Sequence, residues 1–272
     1  RLTSVYRRDH RKILVVDGAI AFTGGVNIGE EWAPPDAPER AFRDDAIEIR
    51  GPAAQGLRAT FLETCRMCGR PLSTAARLPT APQDDSLQDD GLVQVLTNRF
   101  GLRRSRAIRR AYLRGIRRAA RSVDIANAYF LPGPIFLHAM RAAARRGVRV
   151  RLLLPERSDL RFVGLATQSL IGRLLSSGVE VYAYAPRVLH SKTAVFDGRF
   201  TMIGSHNLDA MSWRYNLECN VLVDSTQLAR VVGDAFEADL LESHRLDLAA
   251  WRARPLALRV LAWFAALFRA FL

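Results

Sequence analysis

Two stretches of this 272-residue chain repeat one another, and the repeat constrains the fold more than any other feature. His190, Lys192, Asp197, Gly204, Ser205 and Asn207 form an H-x-K-x4-D-x6-G-S-x-N arrangement. His10, Lys12, Asp17, Gly24, Gly25 and Asn27 occupy the same spacing near the N-terminus, every position at the offset that separates His10 from His190. Each lysine opens an apolar run, KILVV or KTAVF, of the kind a buried strand carries. Period two puts histidine and lysine on one face of such a strand. Asp-Gly follows each run, then a second apolar run: a strand, a tight turn and a returning strand. The small pairs Gly24-Gly25 and Gly204-Ser205 end the return, where backbone and ligand can approach closely. Two such units facing each other would bring two imidazoles, two ammonium groups and the Asn27, Asn207 and Ser205 donors around one pocket. That set can hold a phosphodiester and attack it.

Composition agrees with a phosphate-bearing partner. The formal net charge is +13, from 40 Lys and Arg against 27 Asp and Glu. Nucleic acid and an anionic membrane surface both answer that description. An apolar fraction of 49% is ample for a real core and excludes a disordered chain. Cys65 and Cys68 form a single C-x2-C without a second pair or a nearby histidine, so they read as ordinary thiols, as does Cys219. No carboxylate cluster calls for a metal, and no cofactor is expected. No secretory signal is visible. The chain opens at Arg1, without methionine and shortly before His10, so a fragment lacking its front part is the expectation.

Along the chain, the pattern predicts α/β layering. The first copy occupies 3–28, and a proline-rich excursion follows at 30–45. A short strand at 47–51 leads to a helix begun by Pro52. Residues 69–91 turn to Pro, Ser, Thr, Gln and Asp and read as a linker. Strands are expected at 92–98, 123–133, 148–155, 179–185 and 216–225. Helices are expected at 105–122, 135–146, 162–176 and 226–244. The expected units are 1–68, the linker 69–91, 92–250, and an apolar, basic tail at 251–272. Residues 101–121 hold nine arginines and no acid: a solvated helix face, or a contact with an anionic surface.

Each catalytic histidine needs an acceptor on its second ring nitrogen. Glu218, in the strand after the second motif, is the choice for His190. Asp44 is the choice for His10, with Asp45 as rival. Asp17 and Asp197, at strand ends, suit turn organisation better than proton transfer. Lys12 and Lys192 neutralise the phosphate oxygens. His138 and His244 read as structural, in helical stretches. His206, inside the motif, either touches substrate or faces a neighbour.

The duplicated H-x-K-x4-D resembles the phospholipase D superfamily. HRKILVVDG, FTGGVNIGEEW, RDD…IRGPA, AYFLPG, RGVRVRLLLP, GVEVYAY, LHSKTAVFDGRFTMIGSHNLD, NLECNVLV and WRARPL are similar to blocks of bacterial cardiolipin synthases. The resemblance spans almost the whole chain. It implies two similar αβα half-domains with mixed sheets about a pseudo-two-fold, the first half incomplete here, because members usually have a stretch ahead of the first motif. It implies that a phosphatidyl group moves to a histidine, that glycerol leaves, and that the hydroxyl of a second phosphatidylglycerol takes the group to give cardiolipin. By the family pattern His10 is the nucleophile and His190 the acid and base, with the reverse assignment also open. Where relatives commonly read Trp-Arg-Asp-Thr-His, this chain has Phe42-Arg43-Asp44-Asp45-Ala46; where they read Ser-Ala-Asn-Leu-Asp, it has Ser205-His206-Asn207-Leu208-Asp209.

The implied partners are anionic phospholipids, phosphatidylglycerol and cardiolipin, at a membrane surface; nucleic acid is not expected. The tail is rich in Leu, Ala, Trp and Phe with four arginines, too short and too charged to span a bilayer. It reads as an interfacial helix, against the alternative of one buried on the body. The expected location is the bacterial inner membrane, peripheral or held by a segment outside this chain. Hydrolysis to phosphatidic acid, or attack on a nucleic acid, would use the same chemistry.

Overall fold

The structure, a computed structural model, describes residues 8–69, 92–98 and 106–268. All but Gly69 of the expected linker at 69–91 lies outside the described residues. The first part of the chain gives β1 (Arg8–Asp9), β2 (Ile13–Val16), β3 (Ile20–Gly24), β4 (Ala46–Arg50) and α1 (Pro52–Met67). β2, β3 and β4 form an antiparallel sheet in that order. The second part gives β5 (Leu92–Thr97), α2 (Ala107–Arg118), β6 (Ser122–Asn127), α3 (Pro134–Arg145), β7 (Arg149–Pro155), α4 (Arg161–Leu175) and β8 (Glu180–Tyr184). It continues with β9 (Lys192–Phe196), β10 (Phe200–Gly204), α5 (Ala210–Arg214), β11 (Asn216–Leu217), β12 (Cys219–Asp224), α6 (Thr226–Leu241) and β13 (Ser243–Arg245). Two tail helices close it, α7 (Leu248–Arg252) and α8 (Leu256–Leu267). The large mixed sheet runs β13-β8-β7-β6-β9-β10-β12-β5.

The repeat is structural and reaches past the motif. Both hairpins turn through an Asp-Gly pair with positive φ, 51° and 69° at Asp17-Gly18 and 54° and 64° at Asp197-Gly198. A two-residue turn of that hand matches the twist of the strands it joins. In each copy the return strand then pairs with a third strand, Gly24 opposite Ala46 and Gly204 opposite Asn220. A 16-residue helix follows each third strand, α1 in one copy and α6 in the other.

Core burial explains the layers. On α2, Ile108, Tyr112 and Ile116 recur every four residues and are buried, so the arginines take the other faces. α2, α3 and α4 cover Val123, Ile125, Val150 and Leu152 on one face of the large sheet. α6 covers the other, with Phe236 against Ala126, Leu153 and Tyr184. Helices lie on both faces of this sheet; the small sheet, among the described residues, carries α1. Ala21, Ile49 and Leu57 of the first copy pack against Ile203, Cys219 and Val221 of the second, which joins the halves through one apolar layer.

Boundaries differ from the sequence reading at several places, and the helix expected to reach 122 ends at Arg118. The strand expected at 123–133 ends at Asn127. The strand expected at 216–225 breaks at Glu218, because β11 pairs with β1 while β12 pairs with β10 and β5. The helix expected to reach His244 stops at Leu241, and Ser243–Arg245 becomes an edge strand on β8. His244 is therefore exposed on a strand, 3.8 Å from Glu156. Three residues carry too little pattern to announce an edge strand; the unpaired edge of β8 decides it.

Candidate active site

Parallel pairing between the halves delivers each histidine to the other half. β1 runs beside β11, with Asp9 opposite Leu217. The His10 N–H then donates to the Leu217 carbonyl at 2.9 Å. The second motif repeats this: Leu189 bridges Arg43 in parallel, and the His190 N–H donates to the Arg43 carbonyl at 2.7 Å. The next residue after each accepting carbonyl is a carboxylate. His10 Nδ1 lies 3.0 Å from Glu218 Oε2, and His190 Nδ1 lies 2.7 Å from Asp44 Oδ2.

This crosses the expected assignment. Glu218 orients His10 rather than His190, and Asp44 orients His190 rather than His10. Sheet order gives the reason. β10 separates β9 from β12, so Glu218 lies two strand spacings, roughly 10 Å, from the strand of its own motif. Asp44 and Glu218 are equivalents, each two residues before the partner of Gly24 or Gly204. Asp45, the rival, accepts from Ser191 and from Arg43 at 2.5 Å. Arg43 also reaches Asp239 at 2.9 Å, which fixes the segment carrying Asp44.

A carboxylate on Nδ1 assigns the ring proton there and makes Nε2 the reacting nitrogen; that of His190 lies 3.1 Å from Lys192 Nζ. Glu218 is fully buried. Burial alone would raise its pKa, but His10 and the Ser205 hydroxyl, at 2.5 Å, hold it below the ordinary value. Asn216 Nδ2 adds a third donor at 3.2 Å. Asp44 receives the Trp32 indole N–H at 3.0 Å and the Asp45 N–H at 2.8 Å. Gly25 stands where the second copy has Ser205, and a Cβ there would lie 2.1 Å from Asp44 Oδ1. The copies thus support equivalent carboxylates by different donors.

Both lysines fold back on their own motif, Lys12 Nζ to the His10 carbonyl at 2.9 Å and Lys192 Nζ to the His190 carbonyl. Lys192 Nζ is also 2.8 Å from His190 Nδ1. That nitrogen's proton is committed to Asp44, so the carbonyl is the acceptor that counts. Burial lowers both ammonium pKa values, with Glu218 and Asp44 acting the other way. Lys192, fully buried and near Lys12, falls to about 8. Burial likewise holds His190 below its usual value, against the hydrogen bond it donates to Asp44.

The remaining candidates divide. Asn207 is buried, and its Oδ1 has no hydrogen-bond partner. Asn27, its equivalent, is exposed and is not gathered with it. Asp17 and Asp197 sit at the far ends of their hairpins, beyond a strand of four residues in the first copy and five in the second, roughly 13–17 Å of strand, so they do not join the centre. Asp197 accepts the N–H groups of Ala120, Arg121 and Ser122 at 3.0, 2.7 and 3.0 Å. His206 is buried against the Trp213 ring, centroids 3.9 Å apart, and burial pushes it down to about 4. His138 is exposed on α3.

Several residues here escaped sequence reasoning. Trp32, Phe42 and Tyr129 surround the His190 ring at 5.0, 5.9 and 6.1 Å. Asn98 Oδ1 accepts the Glu218 N–H at 2.6 Å, and its Nδ2 donates to the Ser212 carbonyl at 3.0 Å. Correct strand register would have found Asn98, which lies just beyond Thr97 opposite Cys219. No periodicity marks Trp32, which reaches Asp44 from an irregular loop. Among the described residues no group of His, Cys, Asp and Glu gathers as a metal site.

Comparison with known proteins gives the family. Residues 112–240 match the family model described as cardiolipin synthase, PLD-like domain. A cardiolipin synthase from Geobacillus sp. (strain WCH70) is 36% identical over 93% of this chain and 50% of its own length. Cardiolipin synthase B of Escherichia coli (strain K12) is 38% identical over 85% of this chain and 55% of its own. This chain therefore spans about half the length of the curated relatives it matches. Among solved structures, phosphatidylserine synthase of Haemophilus influenzae Rd KW20 superposes with a TM-score of 0.69 over 97% of this chain and 70% of that one, at 14% identity. The phosphatidylserine synthase shares the fold; the family-model match and the cardiolipin synthase relatives make the chain a member of the phospholipase D superfamily, with a phospholipase D-like domain of the cardiolipin synthase type.

Proposed function

We propose that this chain carries the catalytic part of a phosphatidyltransferase that makes cardiolipin from two molecules of phosphatidylglycerol. The observation that supports it most is the pair of crossed contacts, His10 with Glu218 and His190 with Asp44. Each keeps the ring proton on Nδ1 and makes Nε2 the reacting nitrogen, with a lysine beside it. His10 is the nucleophile: its side chain keeps 28% of its surface open, against 7% for His190. Its Nε2 attacks phosphorus, and a P–N bond forms as the P–O bond to the glycerol headgroup breaks. The leaving oxygen takes a proton from His190 Nε2. Burial disfavours the protonated His190, and the negative phosphodiester, once bound, favours it. The hydroxyl of a second phosphatidylglycerol then gives its proton to His190, attacks phosphorus, and frees His10. Lys12, Lys192 and Asn207 stabilise the non-bridging oxygens. The reaction takes place at a bacterial inner membrane, where α8 attaches the protein peripherally.

Labelled phosphatidylglycerol vesicles incubated with the intact protein test this. Cardiolipin and glycerol in equal amounts are expected. Phosphatidic acid alone would make the protein a hydrolase, and cleaved DNA with untouched lipid would refute a lipid substrate. Acid-labile, alkali-stable label trapped on His10, and lost in His10→Ala, distinguishes the nucleophile from His190.

A further inference from the structure

A second basic cavity, about 340 Å³, opens beside the second motif between the starts of α2 and α3 and α5. Arg106, Arg109 and Arg214 line it. None of the three forms an ion pair among the described residues, and burial together with the neighbouring Arg106 charge lowers the pKa of Arg109. Three guanidiniums that line one cavity, with no ion pair among the described residues, favour an anion. The N-terminus of α3 adds its dipole, for Gly133 caps it without a side chain.

The floor supplies the independent observation. His206 lines this cavity, is fully buried, and has no hydrogen-bond partner on either ring nitrogen. An uncharged imidazole in that state has an unused donor and an unused acceptor. Ile108, Phe136 and Trp213 complete an apolar wall. The chemistry is that of an anionic amphiphile: a phosphodiester for the guanidiniums, a hydroxyl for His206, and carbon for the wall. The cavity also touches the catalytic centre. His206 stands between Ser205 and Asn207, and Asn98, another lining residue, accepts the Glu218 N–H.

We infer that this cavity binds the phosphodiester of the lipid that accepts the phosphatidyl group, holding it a few bonds from the reacting phosphorus. The inference rests on the phosphatidyl transfer proposed above. A glycerol bridge joins the two phosphates of cardiolipin, so the acceptor's own phosphate needs a cationic site next to the first. Arg106, Arg109 and Arg214 provide it, and His206 receives the headgroup.

The test is a product ratio. The intact protein is given phosphatidylglycerol vesicles with added ethanol, and cardiolipin is measured against phosphatidylethanol. Ethanol brings no phosphate and does not need the cavity. In Arg109→Gln and Arg214→Gln the ratio should fall about tenfold each, the size of a lost charge-assisted contact. An unchanged ratio overturns the acceptor site and leaves the transfer chemistry standing. A wild-type protein that forms neither product overturns the transferase reading, and this site with it. A second measurement does not depend on the variants folding. The ¹⁵N shifts of the His206 ring should move with dihexanoyl phosphatidylglycerol in the wild type. Equal movement with inorganic phosphate alone would reduce the cavity to a general anion site and overturn the lipid assignment, as would no movement with either.

Discussion

At the scale of single residues, the crossed carboxylates define what each histidine does. Asp44→Asn should change the ring ¹⁵N shifts of His190 and leave those of His10 in place; Glu218→Gln should do the converse. Identical perturbation of both rings by either change would contradict the crossed geometry. Either substitution should lower kcat by roughly 10²–10⁴, the range for losing the orienting acid of a catalytic histidine. Lys192 sets an alkaline limit. Its folded pKa is lowered to about 8 by burial, so its charge disappears as pH rises past that point. Turnover should fall there, and Lys192→Arg should move the falling limb upward, because arginine keeps its proton. Stability responds with the opposite sign. Between about 8 and the ordinary lysine value of 10.5 the unfolded chain binds more protons than the folded one, so this lysine makes stability rise with pH.

At the scale of elements, the hairpin and its third strand are the unit of function. Gly204 lets β10 close on β12: a Cβ there would lie 2.3 Å from the Cys219 carbonyl and 2.5 Å from the Asn220 Cα. Both neighbours are backbone and cannot step aside, so Gly204→Ala should destabilise the fold by about 1–3 kcal/mol in denaturant titration. Gly25→Ser tests the divergence between the copies. It places a side chain where Asp44 now stands, so it should cut turnover while His10 and Glu218 stay in register. This level was partly legible beforehand. Alternation and the Asp-Gly turns announced both hairpins, and helical spacing announced α2. The break at Glu218 was not legible, because it follows from β1 and β11 pairing across nearly the whole chain.

At the scale of the whole molecule, the tail presents an exposed apolar face. α8 lies on α4 through small residues, with Ala262 and Ala265 buried, while Trp263 and Phe264 remain 61% and 51% exposed. Leu256, Val260, Leu261 and Leu267 extend that apolar face. A face this large, edged by Arg252 and Arg259, suits the interface of an anionic bilayer. Among the described residues no helix is long and apolar enough to cross a membrane. Trp263→Ser with Phe264→Ser should weaken sedimentation with phosphatidylglycerol vesicles by at least tenfold, since each side chain carries about 1.5–3 kcal/mol of burial. Unchanged sedimentation would remove α8 from the membrane contact. The sequence offered both an interfacial helix and a buried one. The structure has α8 docked through its alanines and open through its aromatics, so the helix is not wholly buried on the body.

The sequence by itself determined the duplication, the hairpins, the identity of the histidine and lysine pairs, and the α/β layering. Each of these is written in residues close together in the chain, where spacing and alternation translate directly into geometry. Tertiary structure alone decided which carboxylate serves which histidine, that Asn27 stays outside while Asn207 is buried, and that Trp32 stands in for a serine. Those depend on which strands lie side by side across the junction of the halves. Carboxylates equally placed in two copies are indistinguishable along the chain; only the lateral distance between strands makes one of them reachable.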